Sequence, residues 1–82
     1  MLVVQVKQED MVLVVRGFRS DGMPLSDLQK QVFVNVVGMF GEKPKAQGPT
    51  AEIQLRDQDS AIFVLRDLCT GFQSLGAQVL VL

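Results

Sequence analysis

Few residues in this chain could do chemistry, because it has no His, Tyr or Trp and a single Cys. General acid–base catalysis depends mostly on His and on paired carboxylates, and closed zinc sites are built from Cys and His. The remaining candidates are short clusters of Asp, Arg and Lys, together with Cys69. The composition therefore predicts a protein that is not an enzyme and has no metal site and no cofactor.

The first cluster is Asp57-Gln58-Asp59-Ser60. It lies between a predicted strand and a predicted helix, where α/β folds often place ligands. Asp57 and Asp59 could hold Mg²⁺ through their carboxylates, and they are the residues that a small enzyme would use here. Asp and Ser are also the preferred caps of a helix N-terminus, and no third oxygen ligand is evident. We therefore expect this turn to cap a helix.

The second candidate is basic. Arg16 and Arg19 flank a loop that leaves one strand and approaches a helix, and they could face an anion. The loop matches neither the dinucleotide fingerprint nor the P-loop pattern, so an ordinary surface loop is expected. Lys43 and Lys45 lie in the polar, Pro-containing stretch 41–49, which is typical of a solvated connection. Together the four residues indicate an alternative function, a binder of nucleic acid or of an anionic ligand.

Cys69 could act as a nucleophile only beside a base or with a lowered pKa. The chain has no His to serve as that base. Leu65, Leu68 and Phe72 surround Cys69 at helical spacing. We therefore expect Cys69 to be a small buried hydrophobic residue.

Strand-like alternation predicts four β-strands, at residues 2–7, 12–18, 50–56 and 77–82. The segment at 50–56 is the clearest, because Ala51, Ile53 and Leu55 alternate with polar residues. The segments at 12–18 and 77–82 are apolar on both faces, which predicts cover on both sides or pairing with another molecule. The segment at 2–7 has one face more apolar than the other.

Helical spacing predicts two helices between these strands. The first begins at a capping box, Ser26 with Gln29, and ends at Gly41. Its core stripe is Leu28, Val32, Val36 and Phe40, with Phe33 and Val37 beside it. The residues Gln31 to Val37 are rich in β-branched side chains and could instead form a strand.

The second helix begins after Asp57 and ends at Gly76. Its predicted core stripe is Ala61, Leu65, Leu68, Phe72 and Leu75, with Ile62, Val64 and Cys69 beside it.

The predicted order is ββαβαβ in a single domain, residues 1–82, of the α+β class: a two-layer α/β sandwich with a four-stranded mixed sheet and two helices on one face. Two right-handed crossovers between sequential strands predict a mostly parallel sheet, with the first strand antiparallel to the second. The other sheet face would carry whichever of these point outward: Val3, Leu13, Val15, Leu80 and Leu82. That face would be too apolar to leave in water.

A chain of 82 residues buries only about 60–65% of its surface, and its one Cys excludes an internal disulfide. Self-association is the remaining route to extra stability, so a homodimer is expected. The net charge of −1 argues against a dedicated nucleic-acid binder. No apolar run reaches the ~18 residues of a membrane span, and no signal-peptide pattern is present, which together favour a cytoplasmic protein without membrane contact.

These observations favour a small protein–protein interaction module: a regulator, adaptor or inhibitor that acts as a homo-oligomer and also contacts another protein. The loops 19–24 and 43–49 are expected at opposite ends of the sheet. The predicted contact residues are Arg16, Arg19, Asp21, Lys43, Lys45, Leu80 and Leu82.

Overall fold

The structure, a computed structural model, describes residues 1–40 and 50–82. The elements follow the predicted order ββαβαβ. Their bounds are β1 Leu2–Glu9, β2 Val12–Arg19, α1 Asp27–Gly38, β3 Thr50–Gln54, α2 Gln58–Ser74 and β4 Gln78–Val81. The four strands form one mixed sheet, and both helices contribute to the core on one face of it, as predicted. The predicted stop at Gly41 and the polar stretch after it lie outside the described residues.

The first two strands are antiparallel, as predicted, and they form a hairpin. Glu9 pairs with Val12, so the turn consists of Asp10 and Met11 alone. Asp10 takes a φ of 54°, in the left-handed region that a tight hairpin turn requires. No Gly is needed, because Asp is one of the few residues that tolerate this region.

The sheet order is β3-β2-β1-β4, and this corrects one prediction. β2 pairs with β3 antiparallel, so two of the three strand pairs are antiparallel and the expected mostly parallel sheet is wrong. Thr50 pairs with Arg16, so the chain enters β3 beside the end at which it left β2. The prediction that the connections on either side of α1 meet opposite ends of the sheet is therefore also wrong.

Parallel pairing occurs between β1 and β4. β3 and β4 run in the same direction but are separated by β2 and β1, so α2 carries the chain across two strands. β3 and β4 are consequently the two edges of the sheet.

The predicted capping box of α1 is present. Ser26 Oγ accepts from the Gln29 N–H at 3.2 Å, and Gln29 Oε1 accepts from the Ser26 N–H at 2.9 Å. The ambiguous residues Gln31 to Val37 are helical, because the cap and the contacts of Phe33 and Val37 with the core outweigh β-branched propensity. The helix ends at Gly38, three residues before the predicted stop.

The core lies between this helical layer and the inner face of the sheet. Phe33 of α1 and Phe72 of α2 are fully buried, with ring centroids 5.8 Å apart. Phe33 also lies directly over Gly17 of β2, where a Cβ atom would be 2.9 Å from the ring. The remaining buried cluster is Leu2, Val4, Val6, Leu13, Val15, Val36, Val37, Ala51, Ile53, Leu55, Ala61, Leu68 and Ala77.

Two residues assigned to the helical core stripes are instead exposed. Leu28 is 75% exposed in the first turn of α1, and Leu75 lies beyond the end of α2. Both are at helix ends, where helical spacing alone does not place a side chain in the core. Leu13 and Val15 point inward, whereas Val3 and Leu80 point to the other sheet face, which we call the open face.

Candidate functional site

The two predicted arginines lie on opposite faces of the sheet. Arg16 pairs with Gln5 on the open face, and its guanidinium carbon lies 5.6 Å from the centre of the Phe18 ring. Arg19 pairs with Leu2, whose side chain belongs to the core, so Arg19 belongs to the helix side. The structure therefore does not bring the two arginines together. Lys43 and Lys45 lie outside the described residues.

Arg19 is engaged by its own loop. It forms a salt bridge with Asp21, and its Nη1 donates to the Pro24 carbonyl at 3.5 Å. The Met23 N–H donates to Asp21 Oδ1 at 3.0 Å. This backbone hydrogen bond and then the Arg19 hydrogen bond hold the pKa of Asp21 below its usual value. The polar groups of this loop consequently stabilise the loop itself.

The Asp57 cluster caps α2, as expected. The Ser60 N–H donates to Asp57 Oδ1 at 2.8 Å, and Ser60 Oγ donates to the Asp57 carbonyl at 2.9 Å. Asp59 lies in the first turn, where a carboxylate interacts favourably with the helix dipole. Among residues 1–40 and 50–82, no group of three or more Cys, Asp or Glu side chains is arranged to hold a metal ion.

Cys69 lies on α2 and is half-buried. The sequence predicted a buried side chain, so Cys69 is more exposed than expected. Burial raises the pKa of its thiol, which keeps the sulfur protonated at neutral pH. A protonated thiol is a poor nucleophile, so this environment favours a packing role.

An apolar surface lies at the β4 edge of the sheet. Val81 pairs with the buried Val6 and so points to the helix side, yet 56% of it is exposed. Leu80 is 38% exposed on the open face, and Leu82 follows it. Among the described residues, the helical layer therefore leaves the Val81 end of β4 uncovered, whereas Val79 packs against the core.

One flank of α2 continues this surface. Gly71 contacts α1, since a Cβ there would lie 3.2 Å from Val36 Cγ1. At about 100° per residue, Ile62, Leu65 and Cys69 lie on the opposite flank, away from α1. α2 contacts β4, so this flank faces the β4 edge.

Similar heights for Ile62 and Val81 follow from one hydrogen bond and from the regular rise of helix and strand. Gln8 Nε2 donates to Gln58 Oε1 at 3.0 Å, which places the first turn of α2 level with the end of β1. Val81 pairs with Val6, about 7 Å back along β1 from Gln8. Ile62, which is 71% exposed, lies about 6 Å along the helix from Gln58.

We define the β4 seam as the uncovered edge made by β4, Leu82 and the flank Ile62, Leu65 and Cys69. Leu80 and Leu82 were predicted as contact residues, and the structure places them here. Helical spacing predicts Ile62 beside the core stripe of α2 and does not predict its exposure. Its neighbours in sequence carry no signal for this, because exposure depends on where α2 lies above the sheet.

No helix in the described part of the chain is long and apolar enough to cross a membrane. Compared with protein-family models, with curated protein sequences and with solved structures, the chain matches none of them. The function of the chain must therefore be inferred from its own geometry.

Proposed function

We propose that this chain is a small non-enzymatic protein–protein interaction module that acts as a homo-oligomer. The observation that carries the proposal is the β4 seam, where exposed apolar side chains meet a strand edge that pairs with none of the described residues. One partner is a second copy of the chain. The homo-oligomer also binds another protein, for which it acts as a regulator, adaptor or inhibitor. The proposal includes a cytoplasmic location.

Exposed strand edges are the usual starting point for pairing with another chain. Soluble proteins protect them with charges, prolines, bulges or covering elements. Residues 78–82 contain no charged side chain and no proline, and Leu80, Val81 and Leu82 are all exposed. Contiguous exposed apolar surface of this kind marks interaction sites.

The polar groups that could have catalysed a reaction have local structural roles. Asp57 caps α2, and Asp21 binds Arg19 and the Met23 N–H. Cys69 is half-buried, and burial raises the pKa of its thiol. These roles support a module that works by contact.

The test is sedimentation equilibrium from low to high micromolar concentration. We expect the mass to rise to twice the 9.0 kDa of one chain, or more, with rising concentration. A mass of one chain at every concentration, with cooperative unfolding, would overturn the homo-oligomer.

One observation supports the alternative function. The guanidinium of Arg16 lies over Phe18 on the open face, and such a pair can stack with bases or bind anions. Arg19 does not add to this face, which makes the alternative the weaker proposal. Titration of a fluorescent single-stranded oligonucleotide decides between them: salt-sensitive binding that Arg16→Glu abolishes would favour the alternative.

A further inference from the structure

We infer that two copies join through β4, antiparallel about a two-fold axis at Leu80, so that their sheets form one sheet of eight strands. The inference rests on the proposed homo-oligomer and specifies its surface and its register. A two-fold contact uses the same patch on both copies, so the patch must be complementary to itself.

The backbone of β4 meets this condition. The Leu82 N–H donates to the Val6 carbonyl at 2.9 Å, so this N–H points toward β1. Backbone groups of alternate strand residues point to opposite sides, so the N–H and C=O of Val79 and Val81 point to the free edge. An axis at Leu80 sets Val79 opposite Val81 of the second copy, and all of these groups then pair. Counting only pairs within residues 78–82, an axis at Val81 would form half as many of these hydrogen bonds.

The side chains of β4 agree with this register. Leu80 would face its own copy across the axis as a non-hydrogen-bonded pair, with Cα atoms about 4.5 Å apart. Side chains in such pairs are in close contact, and two leucines there would bury each other. On the helix side, the exposed Val81 would lie beside Val79 of the second copy.

The position of α2 fits as well. α2 contacts β4 and is hydrogen-bonded at its first turn to β1, so it lies above these two strands. Strands spaced about 4.8 Å apart then place the two copies of α2 about 10 Å apart, which is within the range of packed helices.

The helix flank also matches the axis in height. Leu80 pairs with Gln5, about 10 Å along β1 from Gln8, and Leu65 lies at a similar distance along α2 from Gln58. Leu65 is midway between Ile62 and Cys69. The axis would therefore bring Ile62 of one copy to Cys69 of the other, with Leu65 near the centre.

Charge does not oppose this contact. None of the seam residues 62, 65, 69 and 78–82 is an Asp, Glu, Lys or Arg, so like-charged side chains do not meet within it. Arg66 borders the seam, but its guanidinium lies 5.4 Å from the centre of the Phe63 ring and 3.9 Å from Asp67. Both neighbours draw it to the solvent side of α2.

A second copy fits this surface better than an extended peptide would. A peptide could pair with the free backbone of β4, but it would leave Ile62 in water. A second copy supplies a strand and, about 10 Å away, a helix flank with the same apolar residues. It covers both parts of the seam at once.

The experiment is charge complementation at residue 80, measured by sedimentation equilibrium of the full chain. Because residue 80 would face itself, Leu80→Glu and Leu80→Lys should each weaken self-association at least about tenfold. An equimolar mixture of the two variants should restore a dimer that contains one of each, detected by native mass spectrometry. Leu28→Glu is the matched control, because Leu28 is exposed on α1 away from the seam. It should leave self-association unchanged.

The possible outcomes separate this inference from the proposed function. A wild-type dimer that Leu80→Glu does not weaken would overturn the β4 contact and leave the homo-oligomer standing. Two monomeric variants that do not combine would overturn the axis at Leu80. A wild-type monomer at all concentrations would overturn both proposals. Backbone amide NMR spectra of each variant, matched to the wild type, show that the fold is retained.

Discussion

The two edges of the sheet are built differently. At the β3 edge, the inward side chains Ala51 and Ile53 are fully buried in the core cluster, and the outward ones include Glu52 and Gln54. At the β4 edge, the inward Val81 is more than half exposed, and the open face carries Leu80. A charged outward face makes β3 a poor template for another strand, whereas β4 has no such protection. The difference indicates which edge is available for association.

The largest expected difference comes from the same substitution at the two edges. Ile53→Asp would bury an unpaired carboxylate at a cost of several kcal/mol, against a total stability of about 5 kcal/mol for so small a domain. It should unfold the protein. Val81→Asp places its charge in water and should cost the monomer less than about 1 kcal/mol.

Chemical denaturation of dilute samples, followed by circular dichroism, measures both effects. If Ile53→Asp is tolerated as well as Val81→Asp, the β3 edge is not covered as described.

The next largest effect is expected from a substitution in β2, where α1 packs closely on the sheet. In Gly17→Ala, the added methyl group would lie 2.9 Å from the Phe33 ring unless the structure shifts. Phe33 is fully buried, so it has little room to move. Overpacking of this kind costs about 1–3 kcal/mol. Gly38→Ala is the control, since nothing lies within 4 Å of its Cβ position, and it should be neutral or stabilising. Equal stability of the two variants in urea titrations would contradict the close contact.

The smallest expected effect comes from removing a backbone N–H group that points outward at a sheet edge. Val81→Pro removes an N–H that points to the free edge, so it should weaken self-association at least about tenfold, or 1.4 kcal/mol. Gln54→Pro removes an N–H that points outward at the β3 edge, because the Leu55 N–H donates toward β2. It should leave the dissociation constant unchanged.

Dilution calorimetry gives the dissociation constants of the Val81→Pro and Gln54→Pro variants. A loss of self-association in Gln54→Pro alone would assign the contact to β3.

The local features of the fold could be predicted from sequence. The capping boxes of both helices and the Asp10 turn involve residues only a few positions apart, so their side chains and backbone meet in any compact arrangement. The alternation in β2 placed Leu13 and Val15 on one face, but only the structure decided that this face is the inward one.

The candidate site was predicted only in part. Leu80 and Leu82 were named because they are apolar in a terminal strand, and they lie at the seam. Ile62 was not, because its exposure depends on the lateral position of α2. The pairing of Arg16 with Arg19 as one basic surface was suggested by their closeness in sequence. Their separation by three residues places them on opposite sheet faces, since side chains alternate along a strand.

The sequence by itself determined the order of the elements, the helix N-caps and which residues of a strand share a face, because these depend on short-range periodicity and on neighbouring residues. Only the tertiary structure decided which strands are neighbours: Ile53 pairs with Leu13 and Val81 with Val6, partners far apart in the chain. A period of two specifies which face a residue occupies but carries no information on which strand lies beside it. The same strand order places β4 at an edge of the sheet, and the contact surface that we propose follows from that position.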